Sequence, residues 1–492
     1  MGSSRSSKLS PLSAGTESTA EGAFASGATI SHPATATVPT DRVGLRERLA
    51  YGVGDVGGNL IFAPIAAFLL FYLTDIAGIG AAIAGTLLLI GRVLDGTLDL
   101  IIGTLIDRTK TRWGKARPWI LFATPVVVIT FILLFNVPAD LSTTGKEIYA
   151  FVFYFLCLGV GFVSSNLAYH TLLSVITSDA KSRVSLTVIR TFFAMITSIL
   201  VNVITLPMIT ALGGGQSAWS TMALTYGLVA AVTFLVLFFG TRERIQQPPK
   251  PRELGGPSLG ARIAILFRNR YFFLAFVFFL VLYMTSSLSA VGVYFAEDVI
   301  GDANAYSLIS LVGSVPLLIG IWFMGPLISK FGKRGPVLIG IALILIGSGI
   351  PLADPSNLNL VLLGALVRGI GMLPASAAMF AVVADVVDYG EWKSGVRLDG
   401  MTFAAATAGQ NFGAGLGVAL VGWMLAASGY DGRAEVQIDS ALSMEVFLVF
   451  IAPMIGATLL GIVMFFLDLD KTLPRIQKDL AERRASSEQV SA

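Results

Sequence analysis

Residues 87–106 read LLLIGRVLDGTLDLIIGTLI, an apolar run long enough to cross a bilayer that still carries Arg92, Asp95 and Asp99. A charge near the centre of a membrane costs about 2.5–3.5 kcal/mol or more on insertion scales, so three within two helical turns need a reason. Steps of three and four residues set all three on one helix face, where a single cation can meet both carboxylates while the arginine offsets one charge. The spacing predicts an ion-coupling site inside a membrane helix, with Asp95 and Asp99 holding the cation and Arg92 balancing charge.

The rest of the chain supports the membrane setting. Of 492 residues, 54% are hydrophobic and only 13% charged, with a mean hydropathy of +0.77. A soluble core cannot hide that much apolar surface, which excludes the ordinary soluble enzymes. The net charge of +3 is spread over loops and gives no reason to expect a nucleic-acid partner. Cys157 is the single cysteine and lies in an apolar run; His32 and His170 are too few and too far apart to suggest a metal site. No cofactor is expected beyond a coupling ion.

Residues 1–45 are rich in Ser, Ala, Thr and Gly and lack an apolar signal core, so they read as a disordered tail. Twelve apolar spans of roughly 18–30 residues follow. They group as a six-helix bundle over 46–240, a linker over 241–270 containing PPKPRELGGP, a second six-helix bundle over 271–468, and a tail over 469–492. Nearly all Lys and Arg fall in the tails and the even-numbered loops; Lys146 and Arg433 lie in odd loops, and Arg92, Arg190 and Arg368 within spans. The positive-inside rule therefore expects both termini in the cytoplasm of a plasma-membrane protein. The fold expected is all-α with twelve transmembrane helices.

An echo links the halves. GTLIDR at 103–108 ends the second span and opens a basic loop; GPLISK at 325–330 ends the eighth and opens FGKRGP. Parallel six-helix repeats of this kind are a transporter architecture, with substrate held near the midplane between the halves. At the aligned offset the second half has Ser314, Leu317 and Ile321 in place of Arg92, Asp95 and Asp99, so the scaffold alone does not demand the charges.

Several motifs together resemble one family. YGVGDVGGN at 51–59, Arg92-x-x-Asp95-x-x-x-Asp99, DRTKTRWGKARPWI at 107–120 and ADVVDYGEWKSGVRLDG at 384–400 are similar to the glycoside–pentoside–hexuronide cation symporters of the major facilitator superfamily, and the likeness runs from about 46 to 468. It implies a sugar or glycoside as small-molecule partner, membrane lipid around a monomer, and Asp95 and Asp99 as the cation site. The same resemblance places sugar-contacting side chains at Asp55, Asn59, Asn166, Tyr169, His170, Arg190 and, on the eleventh span, Asn411. The chain departs from the family's best-known member at Leu98, Val163 and Asn411, where that protein has an asparagine, a threonine and a lysine. Sodium wants several oxygen ligands, whereas a proton needs one carboxylate, so the coupling ion expected is H+, with Na+ at Asp95 and Asp99 the alternative.

Each candidate also has a plainer reading. Asn59 and Asn166 can bond across a helix interface, Tyr169 can simply pack, His170 can be a satisfied interior histidine, and Arg190 can snorkel to the surface. Gly409, Gly413 and Gly417 form a small-residue stripe suited to close helix packing. Asp385, Asp388, Glu391, Lys393, Arg397 and Asp399 surround the turn after the tenth span. In the related symporters such charges pair across the bundles, which implies a gating role here. Arg368 and the pair Glu297 and Asp298 are expected near the opposite surface without a role. A carrier of amphipathic lipid and a non-transporting membrane sensor remain as rival functions.

Overall fold

The computed structural model describes residues 43–245, 259–434, 436–470 and 472–491. The tail assigned to 1–45 therefore lies almost wholly outside the described residues, as does the centre of the 241–270 linker. All regular structure among the described residues is helical. The first six helices are α1 (Leu45–Ile76), α2 (Ala81–Arg108), α3 (Arg117–Leu134), α4 (Thr143–Ile176), α5 (Ala180–Ala211) and α6 (Gly215–Gly240). A short α7 (Leu259–Phe267) leads into the second six: α8 (Arg270–Val299), α9 (Ala305–Phe331), α10 (Arg334–Ala353), α11 (Leu358–Ser394), α12 (Asp399–Ala427) and α13 (Asp439–Phe466). A final α14 (Leu473–Ser491) follows.

Eleven of these are long and apolar enough to cross a membrane. The remaining long helix of the two halves is α2, at 28 residues, which carries Arg92, Asp95 and Asp99. Local chemistry sets the ends: Ser142 caps α4 by accepting from Gly145 N–H (3.2 Å), Asp179 caps α5 through Ser182 N–H (3.0 Å), and Asn269 caps α8 through Tyr271 N–H (3.0 Å). Each side-chain oxygen takes up a backbone donor that the first turn leaves unpaired.

The internal repeat is physical. Glu243, just beyond α6, accepts hydrogen bonds from the backbone N–H groups of Lys115, Ala116 and Arg117 (2.9, 2.8 and 2.9 Å) at the start of α3. Asp470, just beyond α13, does the same for Lys333 and Arg334 (2.9 and 3.0 Å) at the start of α10. A carboxylate thus neutralises the positive end of the third helix of each half, on the far side of the echoed basic loop. Gly114 and Gly332 sit against these carboxylates with φ of +105° and +72°, a backbone shape that favours glycine.

The ends of α1 at Leu45 and of α13 at Phe466 share one face with these loops, called here the basic side. The halves meet mainly through α2 on α12 and α5 on α9. All hydrogen bonds between the halves among the described residues lie toward the opposite side: Thr74 to Tyr294 (2.7 Å), Tyr430 to Asp75 (2.6 Å), Trp423 to Thr86 (2.9 Å), Tyr306 to Asn202 (3.2 Å), Thr210 to Asn304 (3.2 Å) and Arg433 to Gly78 (3.5 Å). Hydrogen bonds tie the halves together there, and none among the described residues crosses on the basic side. The glycine stripe packs as expected: Gly409, Gly413 and Gly417 lie against the α8 backbone at Phe276, Leu280 and Met284, with no space for a side chain.

The 469–492 tail is more ordered than its polar sequence suggests. Ile476 and Leu480 of α14 are buried, and Trp392 donates its indole N–H to Asp479 (3.0 Å), so the helix is docked on α11.

Candidate functional site

Two charged clusters occupy the first half. In one, Arg190 of α5 donates from Nε to Asp55 of α1 (2.9 Å) and lies from Nη1 2.9 Å from Nδ1 of His170 on α4. Its guanidinium also rests on the Tyr169 ring at 5.1 Å. Tyr169 in turn stacks on Tyr51 at 4.6 Å and donates to the Tyr51 carbonyl (2.8 Å). Asp55 is 7% exposed, while His170 faces open space. Four of the sugar-contact candidates, Asp55, Tyr169, His170 and Arg190, therefore form one constellation across three helices. It presents a cation and an imidazole edge, while the Tyr169 ring is buried, covered by Tyr51 and Arg190.

That geometry decides between several readings. Arg190 turns inward to Asp55 and does not snorkel. Arg190 Nη2 also lies 3.4 Å from His170 Nε2; because an arginine only donates, a His170 nitrogen accepts from it only when that nitrogen is unprotonated. Asn59 bonds back to the Asp55 carbonyl of its own helix (2.9 Å) and crosses no interface. Asn166 and Asn411 are half-buried, and neither hydrogen-bonds to another described side chain or backbone group.

The second cluster is on α2. Arg92 lies 3.7 Å from Asp95, its guanidinium 4.9 Å from the Phe62 ring centroid, and its stem packs on Gly415 of α12, one turn from Asn411. Asp95 is 6% exposed, and Asp99 is half-buried one turn nearer the basic side. The surroundings are poor in oxygen. Leu98 sits against Gly159 of α4, Thr97 turns its hydroxyl to the Leu94 carbonyl of its own helix (2.7 Å), and Val163 is buried. No group of three or more His, Cys, Asp or Glu side chains suited to a metal converges among the described residues.

The gating candidates gather, but within one half. Arg397 meets Asp388 (3.1 Å), Glu391 (2.6 Å) and Asp399 (2.8 Å), Arg484 of α14 meets Glu391 (2.9 Å), and Lys333 pairs with Asp385. The hydrogen bond that Arg397 donates to Glu391, aided by those it donates to Asp399 and Asp388, holds its guanidinium pKa above the ordinary value. None of these pairs reaches the first half among the described residues; the pairing across the bundles that the family resemblance implies belongs to the outward-facing state.

Arg368 stands far along α11 from the other charges of that helix, and the sequence gives it no role. It lines a cavity of about 320 Å³ with Thr285, Ser310, Ser314 and Asn202. Its Nη1 donates to the Val449 carbonyl (2.9 Å), and no carboxylate among the described residues pairs with it. Only the placement of α8, α9 and α13 around it reveals the site.

Comparison with known proteins fixes the family. Residues 50–471 match the model of MFS/sugar transport protein. The chain belongs to that family. It is a glycoside–pentoside–hexuronide symporter relative in the major facilitator superfamily, and not an enzyme. It is 32% identical over 450 residues to an isoprimeverose transporter of Lactiplantibacillus pentosus, covering 89% of this chain and 92% of that protein. It is 30% identical to the glucuronide carrier protein homolog of Escherichia coli (strain K12), covering 90% and 97%. The solved D-xylose-proton symporter has the same fold, with a TM-score of 0.58 at 13% identity over 84% of this chain and 96% of that one. As a family member the chain is an integral membrane transporter, built on two six-helix halves.

Proposed function

We propose that this protein carries a sugar or glycoside with a cation, H+ in preference to Na+, by alternating access across a plasma membrane with its basic side in the cytoplasm. The carrying observation is the Asp55, Arg190 and His170 constellation, backed by the buried Tyr169 ring, a set of donors and acceptors matched to sugar hydroxyls. Relatives that transport isoprimeverose and glucuronides support the same class of substrate. The oxygen-poor setting of Asp95 and Asp99 favours a proton, which needs no ligand cage. With the hydrogen bonds between the halves confined to the opposite side among the described residues, the conformation is inward-open. Charge neutralised at Asp95 and Asp99 removes repulsion that opposes closure around the cavity, and sugar bound between the halves completes the change.

Purified protein in liposomes tests this. An imposed proton gradient should drive accumulation of a glycoside. Accumulation driven by sodium alone would reverse the choice of ion, and none with either ion across a panel of sugars would end the reading.

A second reading concerns the cargo. The Arg368 guanidinium, unpaired with any described carboxylate in a hydroxyl-lined cavity, favours a sugar that carries an acidic group, because a buried lone charge is costly until an anion meets it. Competition between neutral and acidic sugars, in the wild type and in Arg368→Gln, separates the two.

A further inference from the structure

Three wide, π-helical turns meet at the seam opposite the basic side: Tyr72–Ile76 ending α1, Phe295–Val299 ending α8, and Phe447–Ile451 inside α13. Such turns carry an inserted residue and gather at functional sites. Here each carries or adjoins a carboxyl. Asp75 lies in the first, Glu297 and Asp298 in the second, and Glu445 two residues before the third.

Asp75 is satisfied. Tyr430 donates to one oxygen (2.6 Å) and Thr74 to the other (2.5 Å), while Thr74 also meets Tyr294. Glu445 is not. It has no solvent exposure, and no donor among the described residues reaches either oxygen. The turn that carries Asp298 packs against the segment that carries Glu445, and the two carboxyls bear on each other. Two carboxyl groups can hydrogen-bond only through a proton, because a carboxylate accepts and cannot donate. The other charged groups that bear on Glu445 are Asp75, from the first half, and Glu297, both acidic. Among the basic residues of this side, Lys146 and Arg433 reach the carbonyls of Ala77 and Gly78.

We propose that Glu445 and Asp298 form a proton-binding site, separate from Asp95 and Asp99, that must be loaded for this seam to close. Asp75 faces the pair only while α1 is docked on Tyr294 and Tyr430. Closing therefore adds a carboxyl and removes water, and both changes strengthen the hold on a proton. Opening admits water, lets both carboxyls ionise and releases the proton. Acid then favours the closed seam, by up to about tenfold per pH unit for one linked proton.

The test reads conformation and does not depend on the cargo or on the coupling pair. Spin labels at Thr143→Cys and Ser356→Cys, both exposed on this side, report the seam in purified Cys157→Ser protein that also carries Asp95→Asn and Asp99→Asn. The closed fraction should rise as pH falls from about 8 to about 5, and Glu445→Gln and Asp298→Asn should remove that response and stay closed. Infrared spectra of the closed protein should show a protonated carboxyl band that Glu445→Gln abolishes. A pH response that survives both substitutions, a closed fraction that follows sodium at fixed pH, or an absent carboxyl band would overturn the proposal.

Discussion

Arg190 reaches Asp55 through a single 2.9 Å hydrogen bond from Nε, leaving the other edge of its guanidinium for His170. One side chain thus ties α5 to α1 and to α4.

Lysine cannot reproduce this fork, since it offers a point charge on a flexible stem. Arg190→Lys and Asp55→Asn should each weaken apparent sugar affinity at least about tenfold, because each leaves a buried partner without its counterpart. Binding titration with the purified variants checks this. Unchanged affinity in both would reduce the pair to a structural tie.

Asp95 and Asp99 should separate driven transport from exchange. One charge crossing the membrane potential is worth about 2.3 kcal/mol per 100 mV, enough for roughly a fortyfold gradient. In liposomes, Asp95→Asn and Asp99→Asn should lose accumulation toward equilibrium while still exchanging labelled for unlabelled sugar. If both variants accumulate normally, neither carboxylate couples.

The helices and the charge triplet were legible because each rests on local periodicity: apolar runs of membrane length, and steps of three and four on one face of α2. Asp55, Tyr169, His170 and Arg190 were found by resemblance, which places positions but not contacts. Whether Arg190 turned inward, or Asn59 bonded its own helix, depended on packing among α1, α4 and α5. The state of the gate was not legible either. Arg397 pairs with Asp388, Glu391 and Asp399 within its own half, and a sequence common to all conformations does not encode which one is occupied. Arg368 and Glu445 escaped for a similar reason: neither has a charged neighbour three or four residues away on its own helix, so its meaning lies in the other helices packed around it.

The seam opposite the basic side depends on backbone approach at Gly85 and Gly422. A Cβ on Gly422 would press on the Ala81 carbonyl and on Gly85. Gly422→Leu should therefore hold the seam open and cut transport by more than about tenfold while leaving the protein folded, since overpacking costs about 1–3 kcal/mol and falls on one conformation only. Distances between the same paired labels should lengthen relative to the wild type. A closed seam in this variant would refute the argument.

Glu243 and Asp470 give a matched pair for stability. Glu243 accepts three backbone N–H groups at the start of α3 and Asp470 two at the start of α10. Losing such a cap costs about 0.5–2 kcal/mol, with the helix dipole adding to it. Alanine at either site should lower the thermal midpoint of the purified protein by a few degrees, and Glu243→Ala should cost more, because it strips one more donor of its acceptor. The effects should add, since the caps stand in different halves and share no partner. A double variant that loses much more than the sum would show the two basic loops to be coupled through the bundle interface, across which no hydrogen bond runs on the basic side among the described residues.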